Sequence, residues 1–150
     1  MELAEIGKNI LTNCMNVKPG ENVLIVTDDE KYAIGQALYQ AAKLLKAEAM
    51  LMTMPAREVS GQEPPSVVAA AMKGADGVIC PMKTSITHTR AKIEAAEAGA
   101  RIATMPGITE EMFAMGAMTA DYSRVMALTE QVTDLLTKAN TARIEKDGHV

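Results

Sequence analysis

The sequence predicts an α/β domain built on a mostly parallel sheet, and three observations carry that prediction. Apolar runs of strand length recur at 22–28, 47–54, 77–82 and 100–107. Amphipathic, helix-length segments separate them, and parallel neighbours need such crossovers. Turn residues punctuate the joins, as in KPGE at 18–21 and the Pro- and Gly-containing loop at 55–65.

The elements follow in order. Residues 1–16 read as a helix with Leu3, Ile6, Ile10, Leu11 and Cys14 on one face. NVLIVTD, 22–28, is a continuous apolar run that suits a strand buried on both faces. Asp28, Asp29 and Glu30 suit the start of a helix reaching Lys46. AEAMLMTM, 47–54, reads as the second strand, with a helix as the alternative for its Met, Leu and Ala content. A short helix spans 66–73, the third strand is GVICPM at 77–82, and a helix spans 87–98 before Gly99. ARIATMPG, 100–107, is the fourth strand, and ITEEMFAMG and the segment 121–140 are two further helices. Together these give a three-layer, doubly wound, Rossmann- or flavodoxin-like fold. Its sheet has four strands or slightly more, with helices on both faces. The tail TARIEKDGHV carries an Asp147-Gly148 hairpin signal whose second strand is not present, so the chain is expected to cross there into another segment.

Composition excludes several classes of function. Net charge is −4, no Lys/Arg block occurs, and Trp is absent, so neither phosphate neutralisation nor base stacking finds a platform. The charged N-terminus is no signal peptide, and no apolar run reaches membrane-spanning length. Cys14 and Cys80, far apart and in apolar settings, read as buried reduced thiols, consistent with a cytoplasmic location. The twelve methionines read as core filling beside alanine.

The candidate site is CPMKTSITHTRAK, 80–92, where a lysine, four hydroxyls, a histidine and an arginine follow an apolar strand. If the strand order is 2-1-3-4, the loops leaving strands one and three share a crevice. Thr27, Asp28 and Asp29 then face Lys83, Thr84, Ser85, Thr87, His88 and Thr89. A helix N-terminus favours anions, but Ser85 or Thr87 as a helix cap is the plainer reading of the hydroxyls. No GxGxxG follows strand one and no GxSxG surrounds Ser85, so neither a dinucleotide turn nor a Ser85-His88-Asp28 triad is indicated. His88 and His149 are far apart and neither cysteine has a near partner, so no metal site is assigned to this chain. Asp121 reads as the cap of the last long helix, and Glu63 as a structural residue before the Pro-Pro helix entry.

MNVKPGENVLIVTD, the EPP before a short helix, SITHTRAK, GARIATMPGITEEMF and MTADYSRV, in that order, resemble the N-terminal domain of the family M29 metalloaminopeptidases. The resemblance covers nearly the whole chain. It implies a two-domain metal-dependent hydrolase that removes N-terminal residues from peptide substrates. Residues 1–140 would be the α/β domain and 141–150 the start of the crossing into a C-terminal domain. That second domain would hold the divalent ions (zinc, cobalt, magnesium or similar). The parent would pair as a homodimer. By the same resemblance His88 matches a substrate-facing histidine, with Thr87, Ser85 and Arg90 beside it. No catalytic residue is assigned here. The resemblance also reaches an iron-dependent dihydroxypyridine ring-opening dioxygenase, which stands as the alternative activity. A stand-alone binding module is the second alternative.

Overall fold

The computed structural model describes residues 3–149. The predicted helix start at Met1 and the end of the crossing at Val150 lie outside the described residues. Contacts divide the chain into two compact units, residues 1–119 and 120–150.

The first unit is the expected α/β/α sandwich. Its elements are α1 (Leu3–Asn13), β1 (Asn22–Asp28), α2 (Tyr32–Leu44), β2 (Glu48–Met54), α3 (Ser66–Lys73), β3 (Gly77–Met82), α4 (Arg90–Glu97), β4 (Arg101–Pro106) and α5 (Glu110–Ala114). The four strands are all parallel, in the order β2-β1-β3-β4. The continuous apolar runs have a simple cause. Val23 and Ile25 of β1 and Ile79 of β3 pack into one core with Ile34, Leu38 and Phe113. Leu24, Val26, Val78, Cys80 and Met82 pack into another with Val68, Met72 and Ala95. Each central strand therefore buries both faces, and alternation disappears.

Gly35 fixes how closely α2 lies on β1. A Cβ there would sit 2.8 Å from Thr27 Cγ2 and 2.9 Å from Thr27 Cβ. Thr27 cannot easily move aside, because it is fully buried and its hydroxyl donates to Pro81 O at 3.0 Å. Gly35→Ala is expected to cost about 1–3 kcal/mol by overpacking, read as a lower urea midpoint with an unchanged m-value.

Three sequence readings shift. The second helix starts at Tyr32 rather than at Asp28, and the fourth at Arg90 rather than at Thr87. In both cases residues read as helix starts are used for loop contacts instead. Cys14 is exposed and only Cys80 is buried, because α1 ends at Asn13 and the chain turns to bury Met15 and Val17 instead. The methionines divide: Met15, Met54, Met72, Met82 and Met105 fill the core, whereas Met50, Met112, Met115 and Met126 are exposed.

The second unit holds α6 (Tyr122–Lys138), capped as expected by Asp121, whose carboxylate accepts from the amides of Ser123 and Arg124. Val125, Leu128, Val132 and Leu135 form an exposed apolar stripe along it. The Asp147-Gly148 turn is present, with φ of 53° and 79°, and Lys146 and His149 exchange backbone hydrogen bonds of 2.9 Å across it. Positive φ at both central residues is the hairpin geometry those residue types favour. Among the described residues no helix is long and apolar enough to cross a membrane.

Candidate functional site

β1 and β3 are hydrogen-bonded neighbours, yet the helices that follow them pack into opposite cores, α2 with the first and α4 with the second. This is the switch point at which open parallel sheets bind ligands, beyond the carboxyl ends of their strands. The β3–α4 loop, residues 83–89, lies there, as the sequence implied.

Asp28 does not face a ligand. It is fully buried; Oδ2 accepts from Lys83 N at 2.6 Å and Oδ1 from Lys31 N at 3.1 Å. One carboxylate thus ties the β1–α2 loop to the β3–α4 loop across the crevice. Asp29 is also committed, accepting from Ala56 N at 2.8 Å in the β2–α3 loop. Lys83 pairs with Glu30 at 2.7 Å, and that carboxylate, helped by Asp28 and Asp29, holds its ammonium above the usual lysine range.

The four hydroxyls divide their work. Thr89 is the cap of α4, accepting from Lys92 N at 3.3 Å and donating to Ile86 O at 2.7 Å. The cap is therefore neither Ser85 nor Thr87. Those two form a chain: Ser85 Oγ donates to Thr87 Oγ1 at 2.8 Å, and Thr87 Oγ1 lies 2.9 Å from Thr104 Oγ1 on β4. Hydroxyls linked this way can pass their orientation along the chain. Thr84 Oγ1 is buried with no partner. The His88 side chain is exposed, with no hydrogen bond among the described residues. Arg90 lies with its guanidinium 3.9 Å from Glu94 on the outer face of α4, 87% exposed, and does not join the hydroxyl chain. Burial pushes the Cys80 thiol up to about 12, so it supplies no thiolate near neutral pH.

The residue that sequence reasoning undervalued is Glu63. Its Oε1 accepts from Arg90 N at 2.6 Å and its Oε2 from Ala91 N at 3.2 Å, filling the N-terminus of α4. The favourable anion position there is thus occupied by the protein's own carboxylate. Ser60 Oγ accepts from Ser85 N at 3.2 Å, and Gly61 N donates to Ser85 O at 2.8 Å. His88 therefore sits on a span pinned at Ser85 and at Arg90 by the β2–α3 loop. The EPP motif was visible, but a partner 27 residues away carries no local signal. Glu63→Ala is expected to destabilise by about 1–2 kcal/mol, as for loss of a helix cap. It should also speed amide exchange at Arg90 and Ala91.

A separate cavity of about 220 Å³ lies between Glu30–Ile34 and Ile108–Glu110. Among the described residues no group of three His, Cys, Asp or Glu side chains comes together to hold a metal ion. The described residues therefore do not by themselves fit a metal centre.

The described residues thus form an all-parallel α/β domain with a braced polar loop at its switch point. Comparison with known proteins gives its family. Residues 2–148 match the model of the family described as NicX, 2,5-dihydroxypyridine 5,6-dioxygenase. The chain belongs to that family. A solved structure of the 2,5-dihydroxypyridine dioxygenase from Pseudomonas putida KT2440 is similar in fold, with a TM-score of 0.58 and 18% identity over 69% of this chain and 33% of that one. This chain thus spans about a third of the length of that dioxygenase. A structure described as an enoyl reductase domain of a polyketide synthase aligns at a TM-score of 0.42 and 13% identity, over 97% of this chain and 100% of that one. No curated protein matches.

The family match corrects the peptidase reading. The chain is not identified as an M29 metalloaminopeptidase domain. The hydrolase activity, the peptide substrate and the zinc- or cobalt-type peptidase centre fall with that identification. The physical reason is that the matching motifs, turns and strand ends, describe a frame. The described residues contain no metal-ligand set that would separate hydrolysis from oxygen chemistry.

Proposed function

We propose that this chain is the substrate-facing α/β domain of a dihydroxypyridine ring-opening dioxygenase, and that its β3–α4 loop presents Ser85, Thr87 and His88 toward the ring, whereas Arg90, on α4 beside Glu94, does not take part. The observation that carries the reading is the family match over residues 2–148. The partial coverage of the similar dioxygenase supports a second domain that holds the iron such enzymes use. Iron supplies the oxygen chemistry when bound; the work of this chain is to bind, orient and exclude water.

His88 follows Thr87 of the hydroxyl chain in sequence, is exposed, and has no hydrogen-bond partner among the described residues. An imidazole can donate to or accept from a ring hydroxyl, which suits it to hold or move a proton there. The Ser85–Thr87–Thr104 chain keeps the loop polar and ordered beside it. The brace from Ser60, Gly61 and Glu63 holds the loop before substrate arrives, so less ordering remains to be done on binding.

The test is oxygen uptake by the complete two-domain enzyme on addition of 2,5-dihydroxypyridine. Wild-type protein should consume oxygen with loss of the aromatic absorbance. His88→Ala should lower kcat/KM by about 10²-fold with an unchanged unfolding midpoint, because the side chain is exposed and makes no hydrogen bond among the described residues. No oxygen uptake by the wild type would reject the dioxygenase reading. Uptake that is insensitive to His88→Ala would reject the role of that residue alone.

A further inference from the structure

The hydroxyls around the switch point do not all end alike. Thr27 and Thr89 are buried, and each gives its hydrogen to a backbone carbonyl, Thr27 to Pro81 O at 3.0 Å and Thr89 to Ile86 O at 2.7 Å. The Ser85–Thr87–Thr104 chain has no such end, and its three residues are each partly exposed. Ser85 Oγ donates to Thr87 Oγ1 at 2.8 Å and accepts from Thr87 N at 3.2 Å. The link of 2.9 Å between Thr87 Oγ1 and Thr104 Oγ1 can run either way. A hydroxyl carries one hydrogen, so three hydroxyls joined by two links leave one hydrogen over. Neither Thr87 nor Thr104 has a further acceptor among the described residues. The spare hydrogen therefore sits on one of these two partly open threonines.

We propose that Thr104 is a positioning residue: it donates its hydrogen to Thr87, which leaves the Thr87 hydroxyl aimed as a donor at an oxygen on the substrate ring. A hydroxyl oxygen accepts through two lone pairs. When Ser85 fills one and Thr104 the other, the O–H of Thr87 has a single direction left. Thr104 suits this task because it stands on β4, paired in the sheet with Cys80 of β3, so its oxygen is fixed independently of the loop. A ring oxygen of a dihydroxypyridine, as hydroxyl or as anion, is an acceptor. The role is one of binding and needs no proton transfer. The inference rests on the dioxygenase reading and adds to it a residue outside the β3–α4 loop that acts only through Thr87.

Steady-state kinetics of the complete enzyme on 2,5-dihydroxypyridine test this. Thr104→Val keeps the β-branched shape at a partly exposed strand position, so it should unfold at the wild-type midpoint. It should raise KM about fivefold, as for loss of one well-directed neutral hydrogen bond, with kcat within about twofold. Thr104→Ser restores the hydroxyl and should keep KM within about twofold of wild type. Thr87→Val should raise KM at least as much as Thr104→Val. The double variant should be no worse than Thr87→Val alone, because the two residues act as one unit. If Thr104→Val does not fold, Thr104→Ala carries the same expectations. An unchanged KM in Thr104→Val, a KM in Thr104→Ser as high as in Thr104→Val, or effects of the two valines that multiply would each overturn the role. Absence of any wild-type turnover would reject the dioxygenase reading itself, and this inference with it.

Discussion

Asp28→Ala is expected to lower the free energy of unfolding by about 3 kcal/mol or more, and to release the β3–α4 loop. Asp28 is 0% exposed, so no water replaces its carboxylate. Hydrogen bonds to a charged group contribute about 1.5–3 kcal/mol each, and a buried amide left without an acceptor costs about 1–3 kcal/mol. The Lys83 amide, held at 2.6 Å, loses its acceptor outright. Lys31 N keeps a second acceptor, Asp28 O at 3.1 Å, so its loss is smaller. Asp28→Asn should recover only part, since its amide nitrogen cannot accept where the second oxygen did. Urea denaturation gives the energy, and amide exchange at Lys83 reports the loop. Stability within about 0.5 kcal/mol of wild type would mean that the crevice is not held by this carboxylate.

Phe113→Ala carries the other large effect, about 3–5 kcal/mol. Phe113 is the single phenylalanine, 0% exposed, and packs in the core shared with Ile6, Ile34 and Leu38. It sits on α5, a helix of 5 residues. A helix that short does not hold itself together in water, so its order comes from docking. The cap from Thr109 Oγ1 to Met112 N at 3.1 Å closes one end only. Truncation should therefore unfold α5 locally as well as weaken the whole. Fast amide exchange across residues 110–114 together with a lower urea midpoint is the expected result. A midpoint shift below about 1 kcal/mol would show that the core collapses around the missing ring.

What the sequence made legible follows from what is local. β1 and β3 were readable because both faces are buried, which turns each strand into an unbroken apolar word. The edge strand β2 was ambiguous, since its Met, Leu and Ala content serves a helix equally well and its burial is partial. Helix starts were misplaced where a side chain has a distant partner. Asp28 looks like a first-turn acid, but its carboxylate reaches Lys83, 55 residues away. Ser85 and Thr87 look like caps, yet they bond each other and Thr104. The loop 83–90 was found because its hydroxyls cluster in sequence. Its brace, Glu63 with Ser60, was not, because only the fold brings 55–65 against 83–90. The reaction was misread for a related reason. Turn and strand-end motifs specify a frame, and the groups that separate a peptidase from an oxygenase are not among the described residues.

The central claim is that substrate meets this domain at the braced β3–α4 loop. The most direct measurement is a crystal structure of the complete enzyme soaked with 2,5-dihydroxypyridine without oxygen. The account predicts the ring within hydrogen-bonding reach of residues 84–88. A ring seated instead in the cavity between residues 30–34 and 108–110, or at the opposite end of the sheet, would contradict it.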